Sequence, residues 1–335
     1  MPTIIQNDLD GISDFDPQMW ELLREKRIFA TGCTGFLGEW IIRSFLHLNQ
    51  KFNLKAELYC LTRNKKKNEE RFSGIHFVEG DIQSFAFPKG GFDLVIHGAT
   101  EVAAYQKGSD PSLLLDVSFV GTKRLIDFSK QASVKKILFL SSGAAYGTQP
   151  LELPLLEESY SGAPDPRNSK STYGEAKRLG ELLLFNQEIP ATSARIFATY
   201  GPFLPLESQY AFSNFLESFL KQEKIVIKSN GLTTRSYLYA GDLVLWLWIL
   251  LLKGKDKEIY NVGSEEEISI HDLAKKMSTL LGAKTEIEIQ GRELSFGRYI
   301  PSNHKIRTEF KIDQLVPLET GIMKSFEFLK DPYAV

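Results

Sequence analysis

Lys26-Arg-Ile-Phe-Ala-Thr-Gly-Cys-Thr-Gly-Phe-Leu-Gly38 runs from a short apolar strand pattern through three glycines. Glu39-Trp-Ile-Ile-Arg-Ser-Phe-Leu46 follows, with its apolar residues on one side of a helix. Strand, glycine-rich turn and helix in that order make a ligand cradle. Glycine permits a tight turn and close approach of backbone to a ligand, and the free N–H groups of a helix start favour a pyrophosphate. The spacing is G-x-x-G-x-x-G, one residue wider than the G-x-G-x-x-G fingerprint.

Further strand patterns follow at Glu57–Thr62, Ile75–Gly80, Phe92–His97, Lys136–Leu140 and Ala194–Phe197. A helix pattern through Leu113, Val117, Gly121, Leu125 and Phe128 separates two of them. Strands alternating with helices predict an α/β fold, a Rossmann-type doubly wound parallel sheet covered on both faces. Ligands of such sheets bind outside the carboxyl ends of the strands. Gly32, Arg63, Asp81, Thr100 and Ser142 all follow predicted strand ends. A free ribose 2′-hydroxyl favours an acidic residue after the second strand; Arg63 stands there instead, suited to the 2′-phosphate of NADP or to a plain exposed loop. Asp81 can bond an adenine amine.

Ser171-Thr-Tyr-Gly-Glu-Ala-Lys177 opens another helix, with apolar residues at Ala176, Leu179 and Leu183. Tyr173 and Lys177 are a turn apart on one face. An ammonium beside a phenol favours the phenolate, so the tyrosine can exchange a proton nearer neutral pH.

The whole chain sets limits. Its 335 residues suit one large or two modest domains, and a net charge of −2 suggests no general affinity for nucleic acid or an anionic membrane. Two cysteines, Cys33 and Cys60, form neither a disulfide framework nor a metal-site pattern; no metal is expected, and a reducing, cytoplasmic setting fits. The apolar run Leu243–Leu252 is half the length of a membrane span and predicts a buried helix. Residues 1–25 read as an N-terminal extension with a helical pattern around Trp20, Leu22 and Leu23. Residues 26–202 read as the NAD(P)-binding domain, with 241–263 returning to it. Residues 203–335 read mainly as a smaller C-terminal substrate-binding lobe. Ser269-Ile-His-Asp-Leu273 starts a helix with a serine cap.

In order and spacing, these segments resemble the extended short-chain dehydrogenase/reductases, specifically the NAD(P)-dependent nucleotide-sugar epimerase/dehydratase family, over residues 26 to 330. The carriers are Thr31–Gly38, Gly80-Asp-Ile82, His97–Thr100, Ser141–Gly147, Tyr173–Lys177, Arg195–Pro202, Arg235–Asp242 and Tyr260–Gly263. The resemblance implies that Tyr173 transfers the proton, that Lys177 holds the nicotinamide ribose and lowers the tyrosine's pKa, and that Ser142 bonds the reacting oxygen. It implies cofactor contacts at Gly32, Thr34, Gly35, Phe36, Leu37, Asp81, Ile82, Ala99 and Thr100. It assigns Arg235 to the diphosphate of a sugar nucleotide, with Asn214 and Arg298 as further substrate contacts. Homodimerisation through helices at 110–130 and 173–187 is implied in the same way.

The sequence also departs from the family pattern. The acidic pair that 4,6-dehydratases carry after the Ser/Thr is Gly143 and Ala144 here, and decarboxylases usually keep a glutamate there. Ser118 and Ala198 replace two usual asparagines. The expectation is therefore hydride transfer at a sugar ring carbon, C4 foremost, with NAD or NADP, as 4-keto reduction or C4 epimerisation. Arg63 leans it toward NADP. A 4,6-dehydratase or UDP-glucuronate decarboxylase is the alternative within the family, and a non-catalytic NAD(P) sensor or scaffold the alternative outside it.

Overall fold

The computed structural model describes residues 3–100, 110–206, 210–282, 285–291 and 297–330. Residues 1–2 of the expected extension, and 207–209, 283–284, 292–296 and 331–335 of the expected lobe, lie outside the described residues. The central sheet comes from β1 (Arg27–Thr31), β2 (Glu57–Thr62), β3 (His76–Glu79), β4 (Leu94–His97), β5 (Lys136–Ser142), β6 (Ala191–Ile196) and β11 (Glu258–Val262). Its order is β11-β6-β5-β4-β1-β2-β3, and every neighbouring pair is parallel. This is the α/β Rossmann-type sheet the sequence predicts.

The strands read as unbroken apolar runs because both faces are covered. Successive side chains alternate between two cores. Ile28, Ala30, Leu94, Ile96, Leu138 and Leu140 pack with Trp40 and Phe45 of the helix Phe36–Lys51 and with the helix Ala240–Lys253. Phe29, Val95, Ile137 and Phe139 pack on the other face with Leu125 and Phe128 of the helix Pro111–Gln131 and Leu184 of the helix Thr172–Phe185. Every residue from Ala240 to Leu251 is buried, as a helix apolar on all sides from Leu243 onward must be. No described helix is long and apolar enough to cross a membrane.

The remaining strands are short: β7 (Thr199–Tyr200) with β10 (Leu238–Tyr239), β8 (Ile225–Ile227) with β13 (Ile287–Ile289), and β9 (Thr234–Arg235) between β12 (Ile268–Ser269) and β14 (Arg298–Tyr299). Helices Ala211–Lys221, Ile270–Leu280 and Leu318–Lys330 close a third core around Phe212, Phe215, Leu273, Met277 and Ile322. Ser269 caps its helix by accepting from Asp272 N at 3.0 Å.

The helical pattern expected around Trp20, Leu22 and Leu23 is the helix Pro17–Trp20 and the 3₁₀ turn Glu21–Leu23, and a longer helix that the sequence reading did not name lies before it. A twelve-residue helix, Thr3–Asp14, precedes the short turn at Trp20 and buries Ile5, Leu9 and Ile12 in the first core. Asp8 on it is buried, accepts from Tyr239 Oη at 2.7 Å and pairs with Lys324. Asp242 lies in the same buried group and accepts from Leu315 N and Val316 N at 3.2 and 3.0 Å. Burial, with Asp8 adding to it, raises the Asp242 carboxyl to about 7, against which the two backbone bonds and Lys324 act. An acid whose folded pKa is raised stabilises the fold most below its unfolded pKa, and that contribution drains away as pH climbs toward the folded value. The window here runs from about 4 to about 7. Asp242→Asn keeps an acceptor for both N–H groups and removes the charge. We expect a higher melting temperature at pH 8 and a flatter stability profile between pH 4 and 7; thermal scans across that range that match wild type would refute this.

Candidate active site

All seven strands point one way, so the loops after β1 to β5 gather at one edge of the sheet. Gly32 has φ +78°, and a Cβ there would lie 2.5 Å from the Gly98 carbonyl carbon. Only glycine lets the turn after β1 nest against the turn after β4. Thr31 Oγ1 ties the two together, accepting from Gly98 N at 3.2 Å and Ala99 N at 3.1 Å. His97 joins it at 2.9 Å through Nδ1 and reaches Thr122 Oγ1 at 3.0 Å through Nε2. Burial lowers the imidazole to about 3, so His97 is a neutral strut at neutral pH.

The helix Phe36–Lys51 starts at Gly35 with no side-chain cap, and the space beside Gly35 is open. Thr34 and Gly35 are exposed, and Phe36 and Leu37 are half-buried. Thr100 Oγ1 is buried with no hydrogen-bond partner among the described residues. An uncapped helix start over open space and an unpartnered hydroxyl fit a dinucleotide that brings its own phosphate and polar groups. Glu39, in the first turn, is neutralised by Arg43 at 2.6 Å and Arg71 at 2.8 Å, so its charge does not oppose an anion there. Arg63 lies exposed just past β2. Asp81 accepts from Gln83 N at 2.9 Å in a tight turn after β3, and the Ile82 side chain is buried against Gly121.

β5 ends at Ser142, and the helix Thr172–Phe185 carries Tyr173 and Lys177 beside it. Lys177 is buried and donates through Nζ to Leu140 O at 2.8 Å, with Nζ 5.7 Å from the centre of the Tyr173 ring. Burial lowers the ammonium to about 8, opposed by Glu181. Burial also pushes the Tyr173 phenol above its ordinary value, opposed by a hydrogen bond with Ser142. Lys177 gives one of its three ammonium N–H groups to Leu140 O, and the largest influence on the Tyr173 phenol is loss of water.

A buried network braces this corner from below. Glu181 accepts from Ser141 Oγ at 2.7 Å, Ser193 Oγ at 2.8 Å, and Arg195 Nε and Nη2 at 2.9 and 2.6 Å. Arg195 lies over the Tyr146 ring at 4.1 Å, and Tyr146 Oη donates to Asn261 Oδ1 at 2.9 Å. Residue 143 must be glycine, because a Cβ there would lie 2.6 Å from Phe197 Cζ and 2.7 Å from Tyr299 Oη.

Arg235 donates to Thr234 O at 2.9 Å and lies over the Tyr299 ring at 5.5 Å. Among the described residues no carboxylate pairs with it, and burial lowers its pKa. Arg298 is engaged elsewhere, with Glu267 at 3.1 Å and Leu151 O at 3.2 Å. Side chains alternate along a strand, so its neighbour Tyr299 takes the opposite face and reaches Ser142. Asn214 lies exposed on the first turn of the helix Ala211–Lys221. Sequence reasoning passed over Tyr299, Phe197 and the Glu181–Arg195 pair. The four-residue step from Lys177 to Glu181 on one helix face was the available signal for Glu181.

Known proteins resemble the chain over most of its length. UDP-glucuronic acid decarboxylase 6 of Arabidopsis thaliana is 27% identical over 270 residues, 78% of this chain and 76% of that protein. Human (Homo sapiens) dTDP-D-glucose 4,6-dehydratase is 26% identical over 328 residues, 92% of this chain and 91% of that protein. The crystal structure of UDP-glucose 4-epimerase with UDP-glucose from Thermotoga maritima has the same fold, with a TM-score of 0.77 at 22% identity over 90% of this chain and 98% of that one. A sequence profile of the NAD dependent epimerase/dehydratase family matches residues 28–263, spanning the glycine cradle, Ser142, Tyr173 and Lys177, and the chain belongs to that family.

Proposed function

We propose that the protein is an NAD(P)-dependent enzyme acting on a nucleotide sugar by hydride transfer at a ring carbon, C4, as 4-keto reduction or C4 epimerisation. The observation that carries this is the meeting of Ser142, Tyr173 and Lys177 at the carboxyl end of β5, with no acid at Gly143 or Ala144. A bound nicotinamide dinucleotide supplies the hydride chemistry. Gly32, Thr34, Gly35, Phe36 and Leu37 would hold its pyrophosphate, and Asp81, Ile82, Ala99 and Thr100 its adenosine and ribose side. Tyr173 holds or moves the proton at the C4 oxygen, Ser142 bonds that oxygen, and Lys177 holds the nicotinamide ribose. Buried Arg235, lacking an acidic partner among the described residues, suits a diphosphate, which it can meet with two parallel bonds. Asn214 is the further substrate contact nearest a helix start, and Arg298 would have to leave Glu267 to serve as one.

Residues 26–202 with 241–263 would form the cofactor unit, and 203–335 mainly the substrate lobe. Arg63, exposed past β2 where an acid would read the ribose hydroxyl, leans the choice toward NADP. The helices Pro111–Gln131 and Thr172–Phe185 expose Leu113, Phe119, Val120 and Leu182, an apolar face suited to a second copy in a homodimer. A cytoplasmic setting fits two buried free cysteines.

The second reading is the decarboxylase or 4,6-dehydratase chemistry that the two curated relatives are named for. It needs a proton-transferring group after Ser142, and Gly143 and Ala144 offer none. The test is a panel of UDP-glucose, UDP-glucuronate, dTDP-glucose and their 4-keto derivatives, with NADH and NADPH supplied. Released dinucleotide and sugar products are identified by mass spectrometry. A C4-reduced or C4-inverted sugar is expected. Carbon dioxide or water loss as the main outcome would replace this reading with the second, and cofactor binding without any turnover would replace it with a sensor.

A further inference from the structure

Tyr299 enters the site from the short strand β14, outside the part of the sheet that carries Ser142 and Tyr173. β14 pairs with β9 so that Tyr299 stands beside Arg235. The following segment is fastened to the loop after β5. Ile300 N donates to Gln149 Oε1 at 2.8 Å, Leu156 N donates to Ile300 O at 2.9 Å, and Ser302 N donates to Leu156 O at 2.7 Å. The Tyr299 ring lies 4.6 Å from that of Phe197. Held on three sides, the phenol is fixed, and its Oη stands 3.5 Å from Ser142 Oγ, in space that only glycine at 143 leaves open.

We propose that Tyr299 is a positioning residue for the reaction: its hydroxyl donates to Ser142 Oγ and so directs the single serine proton at the substrate oxygen. This rests on the hydride-transfer reading above. A serine hydroxyl has one proton and two acceptor lone pairs. Ala144 N already donates to Ser142 Oγ at 3.2 Å. A second donation, from Tyr299, occupies the other lone pair and leaves the serine proton for the remaining partner, the Tyr173 phenol that bonds Ser142 or, with substrate bound, the oxygen being reduced or oxidised. The 3.5 Å separation is long for such a bond, and catalytic hydrogen bonds in ligand-free sites commonly tighten when substrate binds. Burial raises the Tyr299 phenol to about 12, which keeps it a donor across the neutral range. Two phenols therefore flank one serine with different tasks: Tyr173 exchanges its proton with substrate, and Tyr299 keeps its own.

The test uses Tyr299→Phe, which keeps the ring on Phe197 and Arg235 and removes only the hydroxyl. With whichever nucleotide sugar of the panel is turned over, kcat should fall about 10- to 100-fold with KM within about two-fold. The deuterium isotope effect on kcat, with the transferred hydrogen labelled at the sugar carbon for an alcohol substrate or on the reduced dinucleotide for a keto substrate, should rise as the chemical step becomes limiting. The double variant Ser142→Ala/Tyr299→Phe should be no slower than Ser142→Ala, because Tyr299 acts through the serine. An unchanged kcat, a rise in KM alone, or losses that multiply in the double variant would overturn the proposal and mark Tyr299 as a wall of the sugar pocket. Wild-type protein that turns over no member of the panel would bring down the hydride-transfer reading and this inference together; wild-type turnover with an unaltered Tyr299→Phe kcat would bring down this inference alone.

Discussion

Tyr173→Phe is expected to lose about 10²- to 10⁴-fold in turnover while binding dinucleotide as wild type does. The phenol is the one proton donor within reach of Ser142 that the geometry frees for exchange, since Tyr299 is pinned by β14 and the loop after β5. In the ligand-free protein burial holds the Tyr173 phenol above its ordinary value, so the protonated form predominates at neutral pH. That form suits donation to a carbonyl being reduced. Removal of a proton from an alcohol needs the phenolate, and therefore a cation brought closer than the present ring-to-Nζ distance of 5.7 Å. Lys177, held at Leu140 O and lowered to about 8, is the cation available to do this when a ligand rearranges it. Steady-state rates and fluorescence titration of the dinucleotide separate the two effects. Normal turnover in Tyr173→Phe would remove Tyr173 from the mechanism, whereas loss of dinucleotide binding would mean that the ring, and not the hydroxyl, matters.

Arg195→Met should cost about 3–5 kcal/mol of stability, because it strands a buried carboxylate. Glu181 and Arg195 are each about 6% exposed at the side chain and joined at 2.6 Å. After the substitution Glu181 would keep Ser141 and Ser193 as donors, which cannot neutralise it. The melting temperature should drop by roughly 4–7 °C, given the usual entropy of unfolding for a chain of this size. Neutralising the stranded acid in Glu181→Gln/Arg195→Met should recover more than half of the loss, since the glutamine oxygen still accepts from both serines. A drop no larger than a surface substitution gives, with no recovery in the double variant, would show that the pair is not buried as described. The pair also stands directly beneath the catalytic corner: Ser141 precedes Ser142, and Glu181 lies one turn beyond Lys177.

The sheet was legible because parallel strands covered on both faces leave a plain mark. Ile28, Phe29 and Ala30 are all apolar, and the structure sends Phe29 to one core and its neighbours to the other. Three glycines also turn chains for purely structural reasons, so the cradle was legible through its place after a strand and at the start of a helix, and Gly32 proves to need its positive φ. Tyr173 and Lys177 stood out through the rest of the chain, because a tyrosine and a lysine four apart are common on helices and the pair gains meaning only beside the glycine cradle and the strand-end residues. What the sequence hid depends on contacts between distant segments. The helix Thr3–Asp14 carries three acidic residues, and nothing in the sequence marks Asp8 among them as buried, because Tyr239 and Lys324, which meet it, lie more than two hundred residues away. β14 is two residues long, too short for an alternation pattern, so nothing in the sequence showed that Tyr299 rather than Arg298 faces the site. The direction of the Lys177 ammonium depends on the Leu140 carbonyl, which side-chain spacing cannot place.

The central claim is hydride transfer at a sugar ring carbon, and isotope transfer tests it most directly. Nucleotide sugars of the panel carrying deuterium at C4 would be incubated with the protein and oxidised dinucleotide and quenched, and both the dinucleotide and the separated sugar products analysed by mass spectrometry. With wild-type protein the account predicts deuterium on the nicotinamide where the sugar is left oxidised at C4, or at C4 of the inverted sugar where the hydride is returned, and neither product with Tyr173→Phe. Loss of the C4 deuterium to solvent while product forms, or a product neither oxidised nor inverted at C4, would contradict it.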